Sequence, residues 1–295
     1  MKTFSHNITA KHMPELRVDM IHDSKTFQER FKRGHAWWPH YEQAELFWVS
    51  SELRQMASAA ATKLPKIQFY PELLPSPNGI LVWEGTEQNM AGFSWKTVGN
   101  AVVLNIMVPP EFGIEQIVAL LNDDGARSKL RRNPDVQSKL WSNLEVTVPL
   151  NKEFDPDPLT YYHKRVTHDA DRLHTRLATR MAMTVWLLLG QTLVTEERVR
   201  PTKSAMKRLT RLDASLLMET RYVTLRRASL GAGFGDGSGE GVHYTHQWFV
   251  RGHWRQQPYG PGRSQTRAIW IHPHVKGPEG APLLNPEKLV HTLRK

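Results

Sequence analysis

The 295-residue chain contains no cysteine. That absence excludes thiol catalysis, iron–sulfur clusters, disulfides and every zinc site built on thiolates, and leaves only His, Asp and Glu as side chains that could hold a metal. Long apolar runs are missing as well. The most apolar stretch, residues 181–189 (MAMTVWLLL), is about half of the ~20 residues that span a bilayer, and Arg180 and Gln191 bound it, so it reads as the core of a buried helix. The leading MKTFSHNITAKHMPELRVDM lacks the apolar stretch of roughly 7–15 residues that marks a secretory signal, which makes export unexpected and a cytoplasmic location the expectation. Net charge is also absent from most of the chain. Residues 1–199 carry 23 Lys+Arg against 23 Asp+Glu, while residues 200–295 carry 16 against 6 and so hold the whole formal excess of +10.

With 40% hydrophobic and 23% charged residues, the composition is that of a globular protein. A concentrated positive field draws polyanions through counterion release, which makes nucleic acid the default partner and no membrane partner expected. The same excess could instead be a solubilising surface.

Three stretches follow from pattern and breaks. Residues 1–66 read as mostly helical, with a helix expected over 41–64 (YEQAELFWVSSELRQMASAAATKL) that packs through Leu46, Trp48, Leu53 and Met56 and ends at Pro65. The preceding GHAWWPH clusters His35, Trp37, Trp38 and His40, either as a core anchor or as a stacking platform for bases. From residue 67 to 150 short β-like runs take over, at 79–84, 90–96, 101–108 and 144–150, with PSPNG turning into the first, and predict an antiparallel sheet. A helix is expected near 114–121, followed by a polar loop in which Asp123 and Asp124 are either solvated or metal ligands.

The DPDP at 155–158 pushes the residues before each proline out of helical backbone, and predicts a boundary between domains of 1–154 and 159–295. The helix expected over 159–193 carries His163, His168, His174, Arg165, Arg172, Arg176 and Arg180. Of these His168, Arg172 and Arg176 share one face, as a phosphate groove or as a solvated surface. A short basic helix follows, with Lys203, Lys207, Arg208 and Arg211, and two such helices in succession hint at helix-turn-helix.

The last third starts with a strand at 222–228 that includes Arg226. The glycine tract SLGAGFGDGSGEGVHY fits neither dinucleotide nor P-loop spacing and reads as a hairpin loop. Residues 243–257 (HYTHQWFVRGHWRQQ) alternate in strand fashion, with His246, Trp248, Val250, Gly252 and Trp254 on one face and Gln247, Phe249, Arg251, His253 and Arg255 on the other. PYGPG turns the chain into a partner strand at 267–274. A basic β-hairpin results, presenting Arg251, His253 and Arg255 with Arg263 and Arg267 nearby, types suited to phosphate recognition.

VRGHWRQQPYGPGR at 250–263, IWIHPHVKGPEGAPL at 269–283, EERVRP at 196–201 and LPSPNGILVWE at 74–84 together resemble an uncharacterised family found in actinobacteria and their phages or other mobile elements. The resemblance implies that origin and a two-part architecture, and it brings no activity.

The fold expected is α+β: an N-terminal helix plus antiparallel sheet, then a long helix and a basic C-terminal β-hairpin sheet. The function expected is nucleic-acid binding through Lys203, Lys207, Arg208, Arg211, Arg226, Arg251, Arg255, Arg263 and Arg267. Tyr244, Trp248, Trp254 and Tyr259, interleaved with the cations, favour RNA or single strands over duplex DNA. A second reading is a metal-independent endoribonuclease of toxin type, in which His253 takes the 2′-hydroxyl proton, Arg251 and Arg255 stabilise the phosphorane, and His246 or His272 supplies the acid. A third is a protein-interaction component that docks an acidic partner, and the helix-rich N-terminus could also serve as a dimerisation arm of a homo-oligomer. His272 and His274 with His243 and His246 make a three-histidine zinc site conceivable, but no metal and no cofactor is assigned.

Overall fold

The computed structural model of the protein describes residues 8–31, 37–87, 90–108, 141–155, 169–212, 219–226, 245–278 and 280–284. The chain is α+β and divides into two compact units, Met1–Arg226 and Arg227–Lys295. The boundary expected at 155–158 therefore falls inside the first unit. The physical reason is that strands beyond it complete the sheet begun before it.

The large unit is built on a seven-stranded sheet in the order β6-β5-β4-β3-β1-β9-β8. Its strands are β1 (Glu45–Val49), β3 (Asn78–Glu87), β4 (Met90–Val98), β5 (Ala101–Val108), β6 (Trp141–Pro149), β8 (Val194–Val199) and β9 (Thr220–Leu225), while β2 (Ile67–Gln68) and β7 (Glu153–Phe154) pair separately. The β3 to β6 half is the antiparallel meander expected from the sequence. The centre is not: β1 runs parallel to both β3 and β9, so the sheet as a whole is mixed.

The helix expected over 41–64 is interrupted by β1. Central parallel strands are buried on both faces and lose the alternation that betrays a strand, so ELFWV reads equally well as a helical core. The helical periodicity resumes after Ser50, whose side chain accepts from the Leu53 backbone N–H at 3.3 Å and starts a new helix, Ser51–Ala61. β8 is legible only in space, since its Glu196 and Glu197 are exposed and give it no apolar signature. Its presence between the two basic helices removes the helix-turn-helix arrangement.

Helices cover both faces of the sheet. On one, α1 (Met13–Phe31) and α2 (Trp38–Glu42) pack Met13, Leu16, Met20 and Tyr41 against Leu46, Trp48, Ile80 and Val82. On the other lie α3 (Ser51–Ala61) and α4 (Asp169–Leu189), where Trp186 meets Phe69, Phe93 and Trp95 with ring centroids 5.6–5.7 Å apart. Trp95 lies across β3 at Gly79, where a Cβ would sit 2.2 Å from the indole, and its Nε1 donates to the Ser76 carbonyl at 2.8 Å. Arg180, expected as surface decoration, turns inward. It donates to the carbonyls of Ala61, Thr62 and Leu64 at 2.7, 3.2 and 2.8 Å, at and just beyond the C-terminal end of α3, where the backbone dipole favours a cation.

Among the described residues no helix is long and apolar enough to cross a membrane. The helix expected near 114–121, Asp123 and Asp124, His163, Arg165, His168 and the glycine tract lie outside the described residues, as do the side chains of Arg172 and His174. The fifth helix, α5 (Lys203–Leu212), is the short basic one.

The small unit contains β10 (Gln247–Val250), β11 (His253–Tyr259), β12 (Gln265–Ile271), β13 (His274–Lys276) and β14 (Leu283–Leu284), arranged as one three-stranded and one two-stranded sheet.

Candidate nucleic-acid interface

The two small sheets share one register. Val250 faces His274 in the first ladder and His253 faces Ile271 in the second, so two residues on each strand lie unpaired between the ladders. The result is a ribbon of two antiparallel ladders in line, 247–250 with 274–276 and 253–259 with 265–271, interrupted at 251–252 and 272–273. Side chains alternate faces, and directly opposed residues share one. One face carries Trp248, Val250, Trp254, Ala268 and Trp270. Trp270 is buried and meets Trp254 edge-on at 5.4 Å, and Gly252 lies so close that a Cβ there would be 2.5 Å from the indole.

The other face carries Phe249, His253, Arg255, Gln257 and Tyr259 on one strand and Val275, Ile271, Ile269, Arg267 and Gln265 on the other. Arg251 sits in the interruption, at the position that the same alternation assigns to this face. Phe249 is 47% exposed, and Val275 and Leu283 beside it are 49% and 53% exposed. Arg255 donates to the Gln257 amide oxygen at 2.7 Å, and the Arg267 guanidinium lies over the Tyr259 ring at 5.3 Å. These contacts hold the two cations on the surface without neutralising them. Arg263 stands at the hairpin tip with φ 56, next to Gly262 with φ 61, where left-handed backbone turns the chain.

Arg251, Arg255, Arg263, Arg267 and Lys276 are all exposed, and no Asp or Glu occurs among the described residues of the small unit. In the large unit several arginines have carboxylate partners: Arg54 pairs with Glu87, Arg198 and Arg200 with Glu219, and Arg221 with Glu45 and Glu196. Arg208, expected as a nucleic-acid ligand, is an ion-pair partner of Glu15. Lys203, Lys207 and Arg211 form one exposed face of α5 at helical spacing, with Met206 and Thr210 between them. Arg226 is exposed at the end of β9.

No protein-family model, curated protein or solved structure matches the chain. The site therefore stands on its own chemistry.

The histidines are distributed over both faces. His253 lies beside Arg255 on its strand, and its Nδ1 donates to the Arg251 carbonyl at 3.1 Å. His274, opposite Val250, belongs to the tryptophan face, and alternation puts His272 and His246 there too. The acid expected to partner His253 is thus on the far side of the ribbon. Among the described residues no three His, Asp or Glu side chains are grouped to hold a metal, and His243 lies outside them. Of the aromatics expected to stack on bases, Trp254 packs against Trp270 and Tyr259 underlies Arg267, while Tyr244 is outside the described residues. The aromatic most exposed on the cationic face is Phe249, which the alternation had already placed there but which was not singled out.

Proposed function

We propose that the protein binds nucleic acid through the cationic face of the small unit, with single-stranded RNA or DNA favoured over duplex. The observation that carries this is the set of exposed cations, Arg251, Arg255, Arg263 and Arg267, with no carboxylate among the described residues of this unit, on a ribbon that also exposes Phe249. Cations two residues apart on one strand repeat at about 7 Å, a spacing suited to successive phosphates along a flexible strand, and an unstacked base can lie on an exposed phenyl ring. The basic face of α5 and Arg226 offer further phosphate contacts on the large unit. Resemblance to the actinobacterial and phage family supports a mobile-element setting, with action in the cytoplasm.

The test is a fluorescence anisotropy titration with labelled single-stranded RNA, single-stranded DNA and duplex DNA at several salt concentrations. Binding at micromolar or lower concentration is expected, tightest for the single strands and weakening as salt rises, with a slope of about 0.7 per phosphate neutralised. Affinity for none of the three would overturn the proposal and point to an acidic protein partner. Cleavage of the RNA in EDTA that is lost in His253→Ala would assign the endoribonuclease reading instead.

A further inference from the structure

The large unit carries a second row of cations, on α5. Thr202 starts this helix: its Oγ1 accepts from the Ala205 backbone N–H at 3.3 Å, and its carbonyl accepts from the Met206 backbone N–H at 2.8 Å. Two contacts then fix which way the helix faces. Leu209 is 2% exposed, and the Arg208 guanidinium is paired with Glu15 of α1. On the side away from Leu209, Lys203, Lys207 and Arg211 recur at every fourth position, which sets them about 6 Å apart along the axis. All three are exposed, and with Met206 and Thr210 they line an open hollow of about 430 Å³.

No acid neutralises this row. Among the described residues none of the three has a carboxylate within ion-pair distance, whereas Arg208, one position along from Lys207, does. Like charges four positions apart disfavour a helix, so α5 keeps an arrangement that is unfavourable alone and that a polyanion relieves. The spacing asks for negative charge repeated along a line. No aromatic side chain is among the five that line the hollow, so an unpaired base finds no ring to stack on and the row meets phosphates alone. The ribbon differs on this point, since it exposes Phe249 along with its cations, and it belongs to the other compact unit. A duplex carries one negative charge per ~1.7 Å of axis, about twice the density of a single strand, so a site that meets only phosphates holds a duplex at least as well.

We propose that α5 is a second nucleic-acid site, separate from the ribbon and blind to unpaired bases, so that one chain holds two strands or two stretches of one. The inference rests on the reading that the ligand of this protein is nucleic acid. Lys203 and Lys207 act as point charges towards the phosphates, and Arg211 offers the planar fork that can grip one phosphate through two N–H groups. A strand that reaches both sites gains affinity from the second contact being intramolecular.

The experiment is a calorimetric titration of the full-length protein with an oligothymidylate hexanucleotide at low salt. Two molecules bound per chain are expected. Lys203→Ala with Lys207→Ala and Arg211→Ala, at three exposed positions, should lower this to one, with the circular dichroism spectrum unchanged. Arg251→Ala with Arg255→Ala, Arg263→Ala and Arg267→Ala should also leave one, and the site that remains should take a duplex of twelve base pairs at least as tightly as a single strand of the same length. A single hexanucleotide per chain in the unaltered protein would overturn the second site and leave nucleic-acid binding standing. No binding at all would remove both. Two hexanucleotides still bound by the α5 variant would take the second site off this helix.

Discussion

The two units use the same residue type in opposite ways. In the large unit several arginines are consumed by structure: Arg180 holds the end of α3, Arg221 bridges Glu45 and Glu196 and lies over Phe47, and Arg54 is tied to Glu87, while Arg211 and Arg226 stay exposed. In the small unit arginines have carboxylate-free surroundings among the described residues and stay on the surface. Arginine content alone therefore says little about binding. What separates a structural cation from a free one is whether the fold brings an acid or a carbonyl to it, and residues 227–295 contain nine Lys+Arg against only four Asp+Glu to supply such partners.

The largest effect that separates the units concerns the core. Trp186 is fully buried among Phe69, Phe93 and Trp95, so Trp186→Ala should cost about 3–5 kcal/mol in urea unfolding followed by circular dichroism. Trp270→Ala, in the small unit, should leave that transition in place. Trp186→Phe should cost far less than the alanine change. It keeps most of the volume and removes an indole N–H that is buried without a hydrogen-bond partner, a deficit of about 1–3 kcal/mol.

Next comes the arginine contrast itself. Arg180→Met takes one donor from each of three backbone carbonyls, of which Ala61 keeps the Leu64 N–H, and should destabilise the large unit by about 2–4 kcal/mol, with nucleic-acid binding by the folded protein unchanged. Arg255→Ala with Arg267→Ala should do the reverse. Stability should hardly move, while the salt slope for single strands falls by about 1.4, or 0.7 for each lost phosphate contact. Arg198→Ala, in a surface pair with Glu219, is the control that should change neither by much. Equal slopes for the double variant and the parent protein would remove Arg255 and Arg267 from the interface.

How much of this was legible in the sequence depends on how each element is buried. The meander β3 to β6 was visible because short apolar runs separated by turns announce half-buried antiparallel strands, and the ribbon was visible because its two faces differ in polarity at every step. β1 was hidden by being apolar on both sides, β8 by being polar on its exposed side, and the parallel pairing of β1 with β9 has no local signature at all. The cations of the candidate interface could be named in advance, but not the pairing of Arg208 with Glu15, because partners 193 positions apart leave no trace in local spacing. The grouping of Tyr41, Lys96, Asn105 and Glu145 was hidden for the same reason, since only the register of three strands and the placement of α2 and Trp37 assemble it. Two of the resembling motifs do have a packing cause: LPSPNGILVWE contains Gly79, which makes room for Trp95, and VRGHWR contains Gly252, which makes room for Trp270.

The smallest expected effect is one of pH, and it tests how closely α2 packs on the sheet of the large unit. Burial and the neighbouring Lys96 charge hold His40 below the ordinary histidine value of 6.5, so the folded chain takes up this proton less readily than the unfolded one. Between the folded value and 6.5 the unfolded state binds more protons, and stability rises with pH across that window; it is fully present above 6.5 and is lost on acidification. The urea midpoint of the large unit should therefore fall between pH 7.5 and pH 5.5, and fall less in His40→Gln, whose amide can still reach Asn78 but cannot take up charge. The remaining histidines titrate in both proteins, so the difference between the two pH profiles isolates His40. Parallel profiles would mean that His40 is no more constrained than a surface histidine, and the closure of α2 over Lys96 would then be looser than its contacts indicate.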